Sequence, residues 1–139
     1  MVNLITGKNG KGKSRFLLEK VNSQVKEILG NIVYLDTSTK HMYELNNKIR
    51  LINASEYDIS SGDMFIGFLL GIISGDHDIQ ELYFDNFLAL SHTSINDLET
   101  IIKQLDELSK NFGIDIYAAI STTDGDIPES LKDKVMEAL

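Results

Sequence analysis

With 139 residues, 42% of them hydrophobic and 24% charged, the chain has the length and composition of one globular domain with a core of its own. It contains no cysteine, which excludes disulfides and thiolate metal sites, and its three histidines show no ligand spacing. A net charge of −8 argues against coating nucleic acid through bulk electrostatics, leaving contact by a local patch or inside an oligomer.

The start, Val2-Asn3-Leu4-Ile5-Thr6, reads as a short buried strand, so no leader peptide is expected and a cytoplasmic location follows. A glycine-rich loop comes next. From Arg15 to Leu29 the residues Phe16, Leu17, Val21, Val25 and Ile28 recur at helical spacing, and Gly30 supplies a stop. Asn31 to Asp36 is a nearly continuous apolar strand ending in a carboxylate, as suits a parallel sheet buried on both faces. Thr37 to Asn47 is polar, with a short helix around Met42 to Leu45, and Ile49 to Asn53 is a third strand. His41, His77 and His92 fall in loops and read as surface residues.

Ser60-Ser61-Gly62-Asp63 caps a helix from about Met64 to Ile73. That run is apolar nearly all round, which means deep burial or a partner surface; it is about half the length a membrane span needs. Gln80 to Asp85 is a strand finishing in an acid. Ser94-Ile95-Asn96-Asp97 opens a long helix with Ile95, Leu98, Ile102, Leu105, Leu108 and Phe112 on one face, and Gly113 ends it. Ile114 to Ser121 is a further strand, Asp124-Gly125 turns the chain, and Pro128 starts a last helix through Ala138. Strands alternate with helices and no linker intervenes. The pattern predicts a single domain over residues 1–139, a three-layer α/β sandwich on a mainly parallel sheet of about five strands. A ligand is expected at the C-terminal ends of the strands.

Gly7-Lys8-Asn9-Gly10-Lys11-Gly12-Lys13-Ser14 fits G-x-x-x-x-G-K-[ST] without a mismatch, and Arg15 follows in the first helical turn. A glycine loop between a strand and a helix start leaves backbone N–H groups converging on one point, a site for polyphosphate. Lys13 supplies a point charge for the β- and γ-phosphates and the Ser14 hydroxyl can ligate Mg²⁺. On these residues the chain resembles the P-loop NTPases. The resemblance implies ATP and Mg²⁺ as ligands, with the phosphates bound by residues 7–15. It makes Asp85, after four apolar strand residues, the Walker B acid that holds Mg²⁺ together with Ser14.

In many such ATPases with an inserted strand between the two signatures, a glutamate follows the Walker B acid and polarises the attacking water. Here Asn86 stands there, and an amide orients water without taking its proton. RecA-like proteins carry their glutamate elsewhere, just after the second strand, and the chain resembles that branch. Ile32 to Asp36 is similar to their second strand, Asp85 without a following glutamate to their Walker B strand. Leu105 to Thr122 is similar to the helix and strand that sense the γ-phosphate. The resemblance makes Glu44 the nearest candidate base, eight residues beyond Asp36, with Asp36 itself a candidate site acid. Ser121, with Thr122 and Thr123, can offer a hydroxyl to the γ-phosphate or attacking water.

Three function classes stay open. The first is a minimal RecA-like ATPase domain working in a homo-oligomer or with a protein partner. The second is a nucleotide-responsive module that does not hydrolyse, favoured by Asn86. The third is a small-molecule or nucleoside kinase, disfavoured because Arg15 and Arg50 are the only arginines and a phosphate-clamping lid needs several. The guanine-specific N-K-x-D signature is absent, which points to ATP.

Overall fold

The computed structural model describes residues 1–139, the Asp124 side chain excepted. Strands β1 (Val2–Gly7), β2 (Asn31–Asp36), β3 (Arg50–Asn53), β4 (Ile79–Phe84), β5 (Asp115–Ser121) and β6 (Val135–Ala138) form one sheet. Their order is β3-β2-β4-β5-β1-β6 and every pairing is parallel. Helices α1 (Lys13–Gln24), α2 (Gly62–Ser74), α3 (Phe87–Ser91) and α4 (Leu98–Phe112) cover its two faces. This is the three-layer α/β sandwich that the alternation of elements predicts, with six strands rather than about five.

The two faces divide by residue parity, because successive strand side chains point to opposite sides. Leu17, Leu18 and Val21 of α1 pack on Ile5, Ile32, Tyr34, Tyr83, Tyr117 and Ala119. The opposite face, Val33, Leu35, Leu82, Phe84, Ile116 and Ala118, carries α2, α3 and α4. Tyr34, Tyr83 and Tyr117 stand in register across β2, β4 and β5, their ring centroids 6.1 and 4.6 Å apart. Burial pushes the Tyr117 hydroxyl up to about 12. Tyr83 donates to Glu81 Oε1 (2.9 Å) and Gln24 Nε2 donates to Glu81 Oε2 (2.7 Å), which satisfies a carboxylate only 3% exposed.

Several elements depart from expectation. Helix α1 stops at Gln24 instead of Leu29, since Lys26 and Glu27 bond back only three residues and tighten the last turn. The short helix α3 has no counterpart in the sequence reading, although Phe87 and Leu90 are one turn apart and both buried. The expected last helix is a 3-10 segment, Glu129–Lys134, followed by strand β6. Its pairing with β1, continued by the Leu139 N–H on Thr6 O (2.8 Å), satisfies an edge whose backbone groups would otherwise face outward. Edge pairing outweighs the helix-start signal of Pro128.

Helix α2 is neither buried all round nor wholly free. Phe65, Leu69 and Ile73 line its buried stripe, while Met64 and Leu70 are exposed, because an outer-layer helix meets the sheet on one side only. Ser61 caps it from extended backbone, its Oγ accepting from the Met64 N–H at 3.2 Å. Ser61→Ala is expected to cost about 1 kcal/mol, read from the urea midpoint at unchanged m-value. Among the described residues no helix is long and apolar enough to cross a membrane.

Candidate functional site

Parity also builds the site. Asp36 lies two residues beyond Tyr34, Asp85 two beyond Tyr83, and Ser121 two beyond Ala119, so all three face the α1 side. They sit at the C-terminal ends of β2, β4 and β5, where the glycine loop carries the chain from β1 back over the sheet edge into α1. Strand β5 stands between the loop strand and the Asp85 strand. That is the inserted-strand arrangement.

In the loop, Gly10 (φ 83°) and Gly12 (φ 95°) take the left-handed conformation that a side chain would strain. Gly12 caps α1 with no side-chain partner, and Phe16 is the first residue whose N–H reaches a helical carbonyl, on Gly12 at 3.0 Å. The N–H groups of Lys13, Ser14 and Arg15 therefore have no helical acceptor and lie at the positive end of the helix. Lys13 is only 8% exposed, and its Nζ donates to the Lys8 carbonyl at 3.0 Å. Burial pulls the Lys13 ammonium below the ordinary lysine range, and the Asp85 charge opposes that shift.

Ser14 Oγ donates to Asp85 Oδ1 at 3.0 Å, and the Tyr34 hydroxyl donates to Asp85 Oδ2 at 2.8 Å. Asp36 is as deeply buried. Its Oδ1 accepts the Thr37 N–H at 2.6 Å and its Oδ2 has no partner among the described residues. Burial, then the Asp85 charge, push the Asp36 carboxyl above the usual carboxylate range, against the Thr37 hydrogen bond. A cleft of about 560 Å³ opens over these groups, lined by Asn9, Gly10 and the Gly12 to Arg15 turn together with Asp36, Lys40, Asp85, Asn86 and Ser121.

The structure thus brings together Asn9, Gly10, Gly12, Lys13, Ser14, Arg15, Asp85 and Ser121. Gly7 anchors the loop to β5 through the Thr122 N–H (3.1 Å), and the Lys8 and Lys11 side chains are exposed outside the cleft. Glu44 also lies outside it. Its carboxylate is hydrogen-bonded to His41 Nδ1, and its carbonyl accepts from Asn22 Nδ2 at 2.8 Å. Thr123 is a turn residue, its Oγ1 on Asp126 Oδ2 at 2.8 Å. Asn86 has φ 54°, a left-handed backbone that asparagine tolerates better than most residues.

His41 needs correction. Instead of lying on the surface like His77 and His92, its side chain is 19% exposed and its Nε2 is buried without a partner. The polar segment folds back so that His41, Asp36 and Asp85 present one ligand atom each within 4.8 Å of one another. Tyr34 and Lys40 also escaped sequence reasoning. Tyr34 looks like any apolar strand residue, and a lysine in a polar loop carries no signal.

A parallel sheet with the glycine loop after β1, an acid after β4 and one strand between them is consistent with the P-loop, RecA-like type of α/β fold. Among solved structures the chain is similar to the flagellar accessory protein FlaH from Methanocaldococcus jannaschii, with a TM-score of 0.55 and 17% identity. The match covers 93% of this chain and 63% of that one, so the chain spans less than two thirds of FlaH, and the likeness is one of fold. No protein-family profile matches the chain, and no curated protein matches it by sequence.

Proposed function

We propose that residues 1–139 form a single nucleotide-binding domain that takes ATP with Mg²⁺ and works as a RecA-like ATPase in an assembly or with a protein partner. One observation carries the reading: the buried Lys13 ammonium, the uncapped start of α1, Ser14 and Asp85 converge on a single cleft. The loop amides and Lys13 bind the β- and γ-phosphates. The hydroxyl of Ser14 beside the carboxylate of Asp85 is the hard oxygen set that Mg²⁺ prefers. Bound there, Mg²⁺ neutralises phosphate charge as it develops. Ser121 lines the cleft and offers its hydroxyl, and the exposed Arg15 and Lys40 add charge. A cytoplasmic setting goes with this reading.

The general base is the weak point of the site. Asn86 lines the cleft and orients water, and Glu44 keeps its carboxylate on His41. Asp36 is the other carboxylate in the cleft, and burial favours its protonated form. Slow hydrolysis by the isolated protein follows, and the same observation supports the second reading, a nucleotide-responsive module without turnover. The kinase reading gains nothing, since only Arg15 of the two arginines reaches the cleft.

Phosphate release from Mg·ATP, measured over a range of protein concentrations, tests the proposal. Release that is slow and rises with concentration is the expected result. Asn86→Glu is expected to raise turnover by about 10²-fold, the lower end for a positioned base, although a glutamate in left-handed backbone costs roughly 1–2 kcal/mol of stability. If Asn86→Glu binds ATP and still releases nothing, the hydrolytic reading fails and the responsive module stands.

A further inference from the structure

Beside the cleft Asp36, His41 and Asp85 form a second constellation, which shares only Asp85 with the proposed phosphate and Mg²⁺ site. Asp36 Oδ2 is buried and unpartnered, in a residue 2% exposed, and His41 Nε2 is buried and unpartnered beside it. One ligand atom each of Asp36, His41 and Asp85 lies within 4.8 Å of the other two. A protein rarely leaves two such buried atoms unbonded, because each gives up its hydrogen bonds to water without a replacement. A mutual hydrogen bond would satisfy both, yet neither has one.

We propose that Asp36, His41 and Asp85 bind a divalent transition-metal ion of the Mn²⁺, Co²⁺ or Zn²⁺ class, in a site that adjoins the Ser14–Asp85 oxygen pair and shares Asp85 with it. The imidazole decides the class. Nitrogen ligands suit transition ions, whereas Mg²⁺ takes oxygen. Tetrahedral ligands at about 2.1 Å from an ion stand about 3.4 Å apart, so separations of up to 4.8 Å close by as much as about 1.4 Å when the ion binds. Carboxylate oxygens have lone pairs to spare, and Asp85 can accept from Ser14 and Tyr34 while still facing an ion.

The surroundings of each ligand support this assignment. His41 holds its Nδ1 on the Glu44 carboxylate, which leaves Nε2 as the nitrogen free to ligate. Thr37 N–H fixes Asp36 through Oδ1, and Tyr34 and Ser14 fix Asp85. The carboxylate–histidine–metal arrangement is the usual way a ligating imidazole is oriented. Glu44 therefore acts as a positioning residue for His41. An entry path exists, because Asp36 and Asp85 both open onto the cleft.

The test uses the full chain without nucleotide, so it does not depend on ATP binding. CoCl₂ is titrated and followed by visible absorbance, and MnCl₂ by calorimetry with excess Mg²⁺ present. One ion per chain is expected, with Mg²⁺ failing to displace it. His41→Gln and Asp36→Asn should each weaken binding at least tenfold, and Glu44→Gln by about tenfold, the lower end for a second ligand shell. Lys13→Ala should retain the ion while its ATP affinity falls, which separates this site from the phosphate reading. Circular dichroism identifies any variant that is unfolded, and Glu44→Gln on the exposed surface serves in its place. Absence of Co²⁺ and Mn²⁺ binding overturns the proposal, as does binding that His41→Gln leaves unchanged.

Discussion

Lys13→Ala is expected to weaken ATP binding by between about tenfold and a hundredfold, with little change in folding stability. A charge-assisted contact to phosphate is worth roughly 1.5–3 kcal/mol, which sets that range. The stability side follows from burial. Taking the ammonium out of water disfavours its charged form, so its folded pKa lies below the unfolded one. Such a group binds its proton more weakly when folded and contributes no stability below its folded pKa. Deleting it removes one hydrogen bond to the Lys8 carbonyl and relieves a desolvation cost. Asp85 loses a nearby counter-charge, which offsets part of that relief. Calorimetric titration with Mg·ATP reads the affinity and thermal unfolding reads the stability. An unchanged affinity would show that the loop is not the phosphate site.

Phe65→Ala is expected to lose about 3–5 kcal/mol of stability, out of a total on the order of 5–15 kcal/mol for a domain. Phe65 is fully buried on α2 and meets Phe84 edge-on at 5.3 Å and Phe87 at 5.9 Å. Phe84 and Phe87 stack at 5.7 Å and bracket Asp85 and Asn86 in sequence. The ring therefore supports the strand end that delivers Asp85 to the cleft from the opposite face. Urea unfolding checks the magnitude through a lower midpoint at unchanged slope. A loss under about 1 kcal/mol would mean the site collapses to fill the space, contrary to a close-packed aromatic cluster. ATP affinity at low temperature, where the variant stays folded, should fall less than in Lys13→Ala, because Phe65 touches no cleft residue's charge.

Of the fold, the sequence by itself determined what local chemistry decides. Apolar runs ending in Asp36 and Asp85 marked β2 and β4, because a strand buried on both faces must be apolar and its first polar residue marks the sheet edge. The glycine and lysine pattern of residues 7–14 marked the turn from β1 into α1, since few other sequences permit left-handed backbone there. Ser61 marked the start of α2 by its capping oxygen. These signals lie within a few residues of the feature they specify.

Tertiary structure decided what depends on residues far apart in the chain. Strand β6 exists because β1 has an edge to pair, which Val135–Ala138 do not reveal, lying behind a proline that favours a helix start. The placement of β5 between β1 and β4 depends on crossover connections and brings Ser121 to the cleft. His41 joins Asp36 and Asp85 because a polar segment folds back and the Glu44 carboxylate holds its ring. Nothing in its sequence spacing shows this. The glycine loop was legible because local backbone geometry dictates its residue types, while the imidazole beside the two acids was not, because only long-range packing puts it there.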